Sequence, residues 1–286
     1  MNNKFYIEPS GIPLVDKVWG GFYVGGTYFL VGPRGSGKTT LGIQYARQCV
    51  RQKKVCLFFT SLNPKDLLKL ANVIDFDIKA FMSQNLIILI KIELPELSND
   101  FVKHDDELAM NWTEIVSVIE EYDVDKIIFD DFTPFIGFNR PSSLKDAFHN
   151  LIGTLEEKFM TSFFILSEPA NEFPEDMVNT VVEEGNGVIN INNGEQGKGG
   201  EMTIAPIAGH PEGQVKSGYI IKPFEGISVD YNDLSLVQEV TKARIKMEDS
   251  DGDEFECDGR RNVFNDGFGP GTDDDFSLDG PDNVGT

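Results

Sequence analysis

Residues 32–39 read Gly-Pro-Arg-Gly-Ser-Gly-Lys-Thr, and this octet constrains the fold more tightly than any other part of the chain. Its glycines, followed by Lys38 and Thr39, satisfy the phosphate-loop pattern GxxxxGK(S/T). Such a loop works where a buried strand delivers the chain into the first turn of a helix. There the backbone N–H groups and the positive end of the helix can gather phosphate oxygens. The flanks supply both elements. Residues 27–32 are an apolar, β-rich run, and residues 39–52 carry Leu41, Tyr45 and Cys49 at helical spacing with basic residues near the end. The expected phosphate-binding set is Gly32, Gly35, Ser36, Gly37, Lys38, Thr39 and Thr40. Lys38 would reach the β and γ oxygens and Thr39 would ligate Mg²⁺.

The same alternation continues downstream. Short apolar runs at 55–60, 86–91, 126–130 and 161–167 read as strands, and amphipathic patterns at 107–122 and 142–158 read as helices. Leu86-Ile87-Ile88-Leu89-Ile90 is continuously apolar, as befits a strand covered on both faces of a parallel sheet. Strand alternating with helix implies an α/β doubly wound domain, with a mostly parallel central sheet flanked by helices. After residue 184 the helices stop. Runs at 187–191, 201–207, 219–223 and 227–231 predict an antiparallel C-terminal extension of that sheet.

A second motif supports the first. Residues 126–131, Lys-Ile-Ile-Phe-Asp-Asp, form an apolar strand ending in acid, which suits a carboxylate holding a water of a bound metal at the carboxyl end of a sheet. Asp130 is therefore the expected Mg²⁺ residue beside Thr39.

Charge narrows the partners. The chain carries 25 Lys and Arg against 47 Asp and Glu, a net of −22, and a surface of that sign repels a phosphate backbone. Nucleic acid is not an expected partner. Half of that charge lies at the end: residues 248–286 hold 13 acids and 2 bases, interleaved with glycine and with Phe255, Phe264, Phe268 and Phe276. Such a stretch buries too little apolar area to offset chain entropy, so residues 241–286 are expected to be a disordered acidic tail beyond a domain at 1–240. The tail reads either as a solubilising appendage or as a segment that docks on a basic, apolar groove of a partner or of its own domain. No run approaches the eighteen apolar residues of a membrane span, and the first residues lack the order of a signal peptide, so a soluble, cytoplasmic protein is expected. Cys49, Cys56 and Cys257 have no metal-type spacing and are not expected to form disulfides.

The longer register around the phosphate loop resembles a known family. Residues 10–22, Ser-Gly-Ile-Pro-Leu-Val-Asp-Lys-Val-Trp-Gly-Gly-Phe, followed by the loop, are similar to the start of a KaiC- or RadA-type ATPase domain of the RecA superfamily. The resemblance runs from about residue 8 to 230, through the Asp130 strand and the Gly209-His210 and Phe224-Glu-Gly-Ile-Ser-Val segments. It implies a RecA-like fold, ATP with Mg²⁺, and a homo-oligomer.

Two departures stand against that pattern. The resemblance implies a pair of water-activating glutamates where this chain has Ser61 and Leu62, and a Lys-x-Arg-Gly motif reaching a neighbour's γ-phosphate where it has Pro206, Ala208 and Gly209. A hydroxyl and an isobutyl group are not general bases. The expectation is an ATP-binding regulator with weak or absent hydrolysis, its nucleotide state read by a protein partner or its own oligomer, as in signal transduction. The alternative is an active Mg²⁺-dependent ATPase or autokinase using Asp131 or Glu168 as base. A DNA-pairing role is opposed by loops at 132–143 and 170–180 that offer Arg140 alone against several acids.

Other residues carry less. His104, His149 and His210 lie too far apart in sequence to suggest a local metal site. Residues 249–260 begin like a calcium loop but place Glu254 at the glycine position and Arg260 at the bidentate acid. Lys242, Arg244 and Lys246 form a short basic stretch that reads as a solvated helix end.

Overall fold

The computed structural model describes residues 6–93, 101–168, 175–194 and 200–229. The chain begins with β1 (Ile7–Glu8), α1 (Pro13–Val18) and β2 (Phe22–Tyr23), the two strands forming a small antiparallel ribbon. Then come β3 (Thr27–Gly32), α2 (Lys38–Arg51), β4 (Cys56–Thr60), α3 (Pro64–Val73), α4 (Ile78–Met82) and β5 (Ile87–Lys91). The central part is α5 (Phe101–Glu121), β6 (Lys126–Asp130), a 3-10 turn at Thr133–Phe135, α6 (Pro141–Glu157), β7 (Thr161–Ser167) and α7 (Glu175–Val182). The last four strands are β8 (Gly187–Asn192), β9 (Gly200–Pro206), β10 (Val215–Lys222) and β11 (Gly226–Val229).

Nine strands form one sheet in the order β11-β10-β9-β8-β3-β7-β6-β4-β5. From β5 to β8 every pairing is parallel, and from β8 to β11 every pairing is antiparallel. This is the expected α/β architecture with its antiparallel extension.

Period-two alternation divides each central strand between two cores. Phe58, Ile128, Phe163 and Ile165 face the layer that holds α1 and α2, whereas Phe59, Phe129, Phe164 and Leu166 face the layer that holds α5 and α6. On the second face Phe29, Phe164, Phe129 and Phe59 stand side by side on β3, β7, β6 and β4, each paired in register with the next. Their ring centroids are 5.5, 4.7 and 4.8 Å apart. A one-residue slip of any of these strands would turn its phenylalanine to the opposite layer, so the aromatic row fixes the register.

Some elements differ from expectation. The helix expected at 107–122 is α5 and starts at 101, because the polar Asp105 turns inward and accepts from Asn139 N–H at 2.6 Å and Arg140 Nε at 3.0 Å. The strand expected at 219–223 starts at 215, since Ser217 is buried on the same face as Val215 and Tyr219 despite its hydroxyl. Helices α1, α3, α4 and α7 were not anticipated; α3 and α4 are announced only by their caps, Asn63 accepting from Lys65 N–H and Asp77 from Ala80 N–H. The tail at 241–286, its boundary near residue 240, the calcium-like stretch and the basic stretch at 242–246 lie outside the described residues.

Candidate nucleotide-binding site

The phosphate loop bridges the end of β3 and the start of α2, at the carboxyl edge of the parallel strands. Gly32 permits a close approach, because a Cβ there would collide with the carbonyl oxygen of Ile191. Gly37, the residue before α2, has a φ of 96°, which L side chains rarely adopt. These two positions turn the chain so that the first amides of α2 are presented at the site.

Lys38 is mostly buried, and its Nζ donates to the carbonyls of Gly32 at 2.7 Å and Pro33 at 2.9 Å. Burial pulls its pKa below the ordinary lysine value, opposed by the charges of Asp131, Asp130 and Glu168. The three carboxylates singled out in the sequence therefore converge electrostatically on the loop lysine. An ammonium folded back on carbonyls can exchange them for stronger anionic acceptors.

Asp130 ends β6. Its Oδ1 accepts from Thr39 Oγ1 at 3.3 Å, while its Oδ2 is buried with no hydrogen-bond partner among the described residues. Burial raises the carboxyl pKa to about 7; the Thr39 hydrogen bond and Lys38 work in the opposite direction, and Asp131 adds to the rise. A buried oxygen without a partner beside a threonine hydroxyl fits a hard cation, which takes oxygen donors and restores the ionised carboxylate.

Asp131 is occupied differently. Its Oδ1 accepts from Thr133 N–H at 2.9 Å and Thr133 Oγ1 at 2.5 Å, and its Oδ2 accepts from Ser167 Oγ at 2.5 Å. Thr133 Oγ1 in turn accepts from Ser167 N–H at 2.6 Å. The side chain thus ties the end of β6 to the end of β7. Glu168 is exposed just past β7, and its N–H donates to Gly32 O at 3.0 Å. Ser61 lies next to Asp130, whose carbonyl accepts its N–H at 2.8 Å, and Leu62 N–H is taken by Thr60 Oγ1. Neither Ser61 nor Leu62 brings a carboxylate to this position.

Residues 206–209 close β9 away from any cation of their own. Ile207 and Ala208 N–H groups donate to Asn186 O, Gly209 O accepts from Tyr23 OH at 2.6 Å, and His210 stacks on Trp19 with centroids 4.4 Å apart. Burial lowers the His210 pKa to about 4. The three histidines are not brought together, and among the described residues no three His, Cys, Asp or Glu side chains are grouped to hold a metal.

Several residues at the site gave no sign in the sequence. Tyr219 on β10 donates to the loop carbonyl of Ser36 at 2.6 Å, and Asn193 Nδ2 reaches Arg34 O at 3.4 Å. Gln44 on α2 clamps β11, donating to Ile227 O at 3.1 Å and accepting from Ile227 N–H at 2.6 Å. Thr133 and Ser167 belong with them. Polar residues at strand ends beside an acid were the only local hint for these last two.

Comparison with known proteins places this arrangement. A family model described as "ATPase: KaiC" matches residues 8–233. The chain is 24% identical over 157 residues to the circadian clock protein KaiC2 of Synechocystis sp. (strain ATCC 27184 / PCC 6803 / Kazusa), a match covering 54% of this chain and 26% of that one. The chain thus spans about a quarter of that relative. Its fold is similar to the crystal structure of a KaiC-like protein from the hyperthermophilic archaeon Pyrococcus horikoshii OT3, with a TM-score of 0.60 and 18% identity over 79% of this chain and all of that one. Among the described residues no helix is long and apolar enough to cross a membrane. With the phosphate loop, the Asp130 strand and the antiparallel extension all inside the matched region, the chain belongs to the KaiC family of ATPases.

Proposed function

We propose that the protein binds ATP with Mg²⁺ and passes its nucleotide state to a protein partner or to its own oligomer, turning ATP over slowly or not at all. A contrast within the site supports this. The groups that hold a nucleotide are complete: Lys38, Thr39 and Asp130 sit in hydrogen-bonding order around the loop. The groups that would speed its cleavage are missing from the positions the resemblance assigns them, since Ser61 and Leu62 carry no carboxylate and residues 206–209 no Lys or Arg.

Thr39 Oγ1 and Asp130 would hold Mg²⁺, which when bound would supply charge to neutralise the phosphates. Lys38 would leave the Gly32 and Pro33 carbonyls for phosphate oxygens, and the amides of residues 35–40 would complete the cradle. Asp131 holds Thr133 and Ser167 together, and Glu168, the residue after Ser167, donates its N–H to Gly32 O, a route by which binding at the loop would reach the ends of β6 and β7.

Measuring binding and turnover on one purified full-length sample tests the reading. The expected result is Mg²⁺-dependent ATP binding with hydrolysis on the order of one event per hour or slower, as for P-loop proteins without a finger. Sustained turnover of several per minute, abolished by Glu168→Gln or Asp131→Asn, would overturn it in favour of an active ATPase. Of those two carboxylates the exposed Glu168 is the better placed, because both oxygens of Asp131 are already accepting hydrogen bonds.

A further inference from the structure

The net negative charge of the chain conceals one basic face. Residues 34–79, which contain α2, α3 and α4, hold nine Lys and Arg against three acids; Lys38 belongs to the phosphate loop, and Lys54 and Lys69 pair with Asp125 and Asp66. Arg51, Lys53, Lys65 and Lys79 are exposed there and make no ion pair among the described residues. A protein of net charge −22 that gathers its cations on one set of packed helices has an attractive patch for an anionic segment.

That face also carries exposed apolar surface. Leu70 and Val73, three residues apart on α3, are 38% and 53% exposed, and Phe224, in the β10–β11 turn, is 72% exposed. The turn is fastened to the helix: Phe224 N–H donates to Val73 O at 2.7 Å. Arg47 on α2 binds both sides, donating to Ile74 O at 2.9 Å and Glu225 O at 3.0 Å. Phe224 has a φ of 67°, a conformation unfavourable for a bulky L residue, and it leaves the ring in water. A strained turn that fixes an exposed aromatic ring on a basic face is an unusual use of a phenylalanine unless something covers it.

We infer that residues 248–286 of the same chain dock in cis on this face, their phenylalanines against Leu70, Val73 and Phe224 and their carboxylates against the surrounding lysines and arginines. Three observations favour this occupant. The segment has the complementary composition, 13 acids to 2 bases with Phe255, Phe264, Phe268 and Phe276 among them. It is tethered beside the patch, because the described chain ends at Val229 on β11, the strand that follows the Phe224 turn. The eighteen residues 230–247 can span up to about 60 Å when extended, far more than the length of one hairpin. The tether supplies about millimolar effective concentration, which favours the chain's own segment over one from a second copy.

The experiment uses the full chain and resolves first tryptic cuts by mass, comparing those at Arg260 and Arg261 inside the segment with those at Lys242, Arg244 and Lys246 in the tether, which docking leaves open. A contact of about 0.1 mM intrinsic affinity at about 1 mM effective concentration is closed roughly nine-tenths of the time, so cleavage inside the segment slows about tenfold. The expected results are slow cleavage at low salt, about tenfold faster cleavage at 1 M salt, and protection that does not change with protein concentration. Phe224→Asn, which tolerates the turn conformation while removing the ring, and the exposed pair Lys65→Glu with Lys79→Glu should each restore fast cleavage with unaltered thermal unfolding. Wild-type cleavage as fast as in both variants would overturn docking. Protection that grows with protein concentration would assign the face to a second copy, and protection that survives in both variants would place the segment elsewhere.

Discussion

The parallel and antiparallel halves of the sheet meet the phosphate loop in different ways. From the parallel half come the charged groups, Lys38 after β3, Asp130 and Asp131 at β6 and Glu168 after β7, all at strand ends. From the antiparallel half come neutral supports: Tyr219 on the Ser36 carbonyl, Asn193 on Arg34, and the Ile227 backbone held by Gln44. On the proposed reading the first half binds the nucleotide and the second holds the loop in shape. Damage to the first should therefore remove affinity with little loss of fold, and damage to the second should loosen both.

The largest separation should come from Lys38→Ala. Two charge-assisted bonds to phosphate are removed, so ATP affinity measured by calorimetry should fall about a thousandfold, or about 4 kcal/mol. Thermal unfolding without nucleotide should hardly move, because the lysine has only carbonyl partners there and its burial is unfavourable. A large loss of stability would place Lys38 among the structural supports instead.

On the antiparallel side, His210 offers a test by pH. Its folded pKa of about 4 lies below the ordinary 6.5, so the unfolded chain binds the proton first. Its contribution is complete above about pH 6.5 and is lost as pH falls toward 4. Urea unfolding across that window should show a steep decline in the wild type and a shallower one in His210→Gln. Equal slopes would mean that the ring becomes protonated without disturbing its stack on Trp19.

Gln44→Ala should come next. It leaves the Ile227 N–H and C=O without their buried partner, at a cost of about 2 kcal/mol in unfolding free energy, and it should also weaken ATP binding severalfold. Tyr219→Phe is the mildest. Loss of one hydroxyl donor to Ser36 O should lower stability by about 1 kcal/mol and ATP affinity a fewfold, as read by urea unfolding and calorimetry. Affinity unchanged in both variants would show that the loop keeps its shape without the antiparallel half.

This division also explains what could be read from the sequence. Gly32 to Thr39 and the acid-terminated strand at Asp130 are local patterns, and their chemistry follows from residues adjacent in the chain. Tyr219 and Gln44 are 183 residues from their partners, and a tyrosine in a strand or a glutamine in a helix has no periodicity that reveals what it touches. Asp105 shows the same limit: an acid at a buried helix position reads as surface until the Asn139 and Arg140 amides arrive to meet it. The acid Asp131, read as a candidate base, has its two oxygens taken by Thr133 and Ser167, for which a polar residue near a strand end is the only local hint.

The row of four phenylalanines sets heights as well as register. Measured from that common level, β3 and β7 run three residues further, to Gly32 and Ser167, while β6 and β4 run only one, to Asp130 and Thr60. The edge of the sheet is therefore a stair with a riser of two residues, about 7 Å at strand rise. Its upper tread bears the phosphate loop and its lower tread bears Asp130. Asp130 therefore meets the upper tread only through its side chain, whose Oδ1 accepts from Thr39 Oγ1 at 3.3 Å, and the depth of the step is what leaves its other oxygen buried without a partner among the described residues.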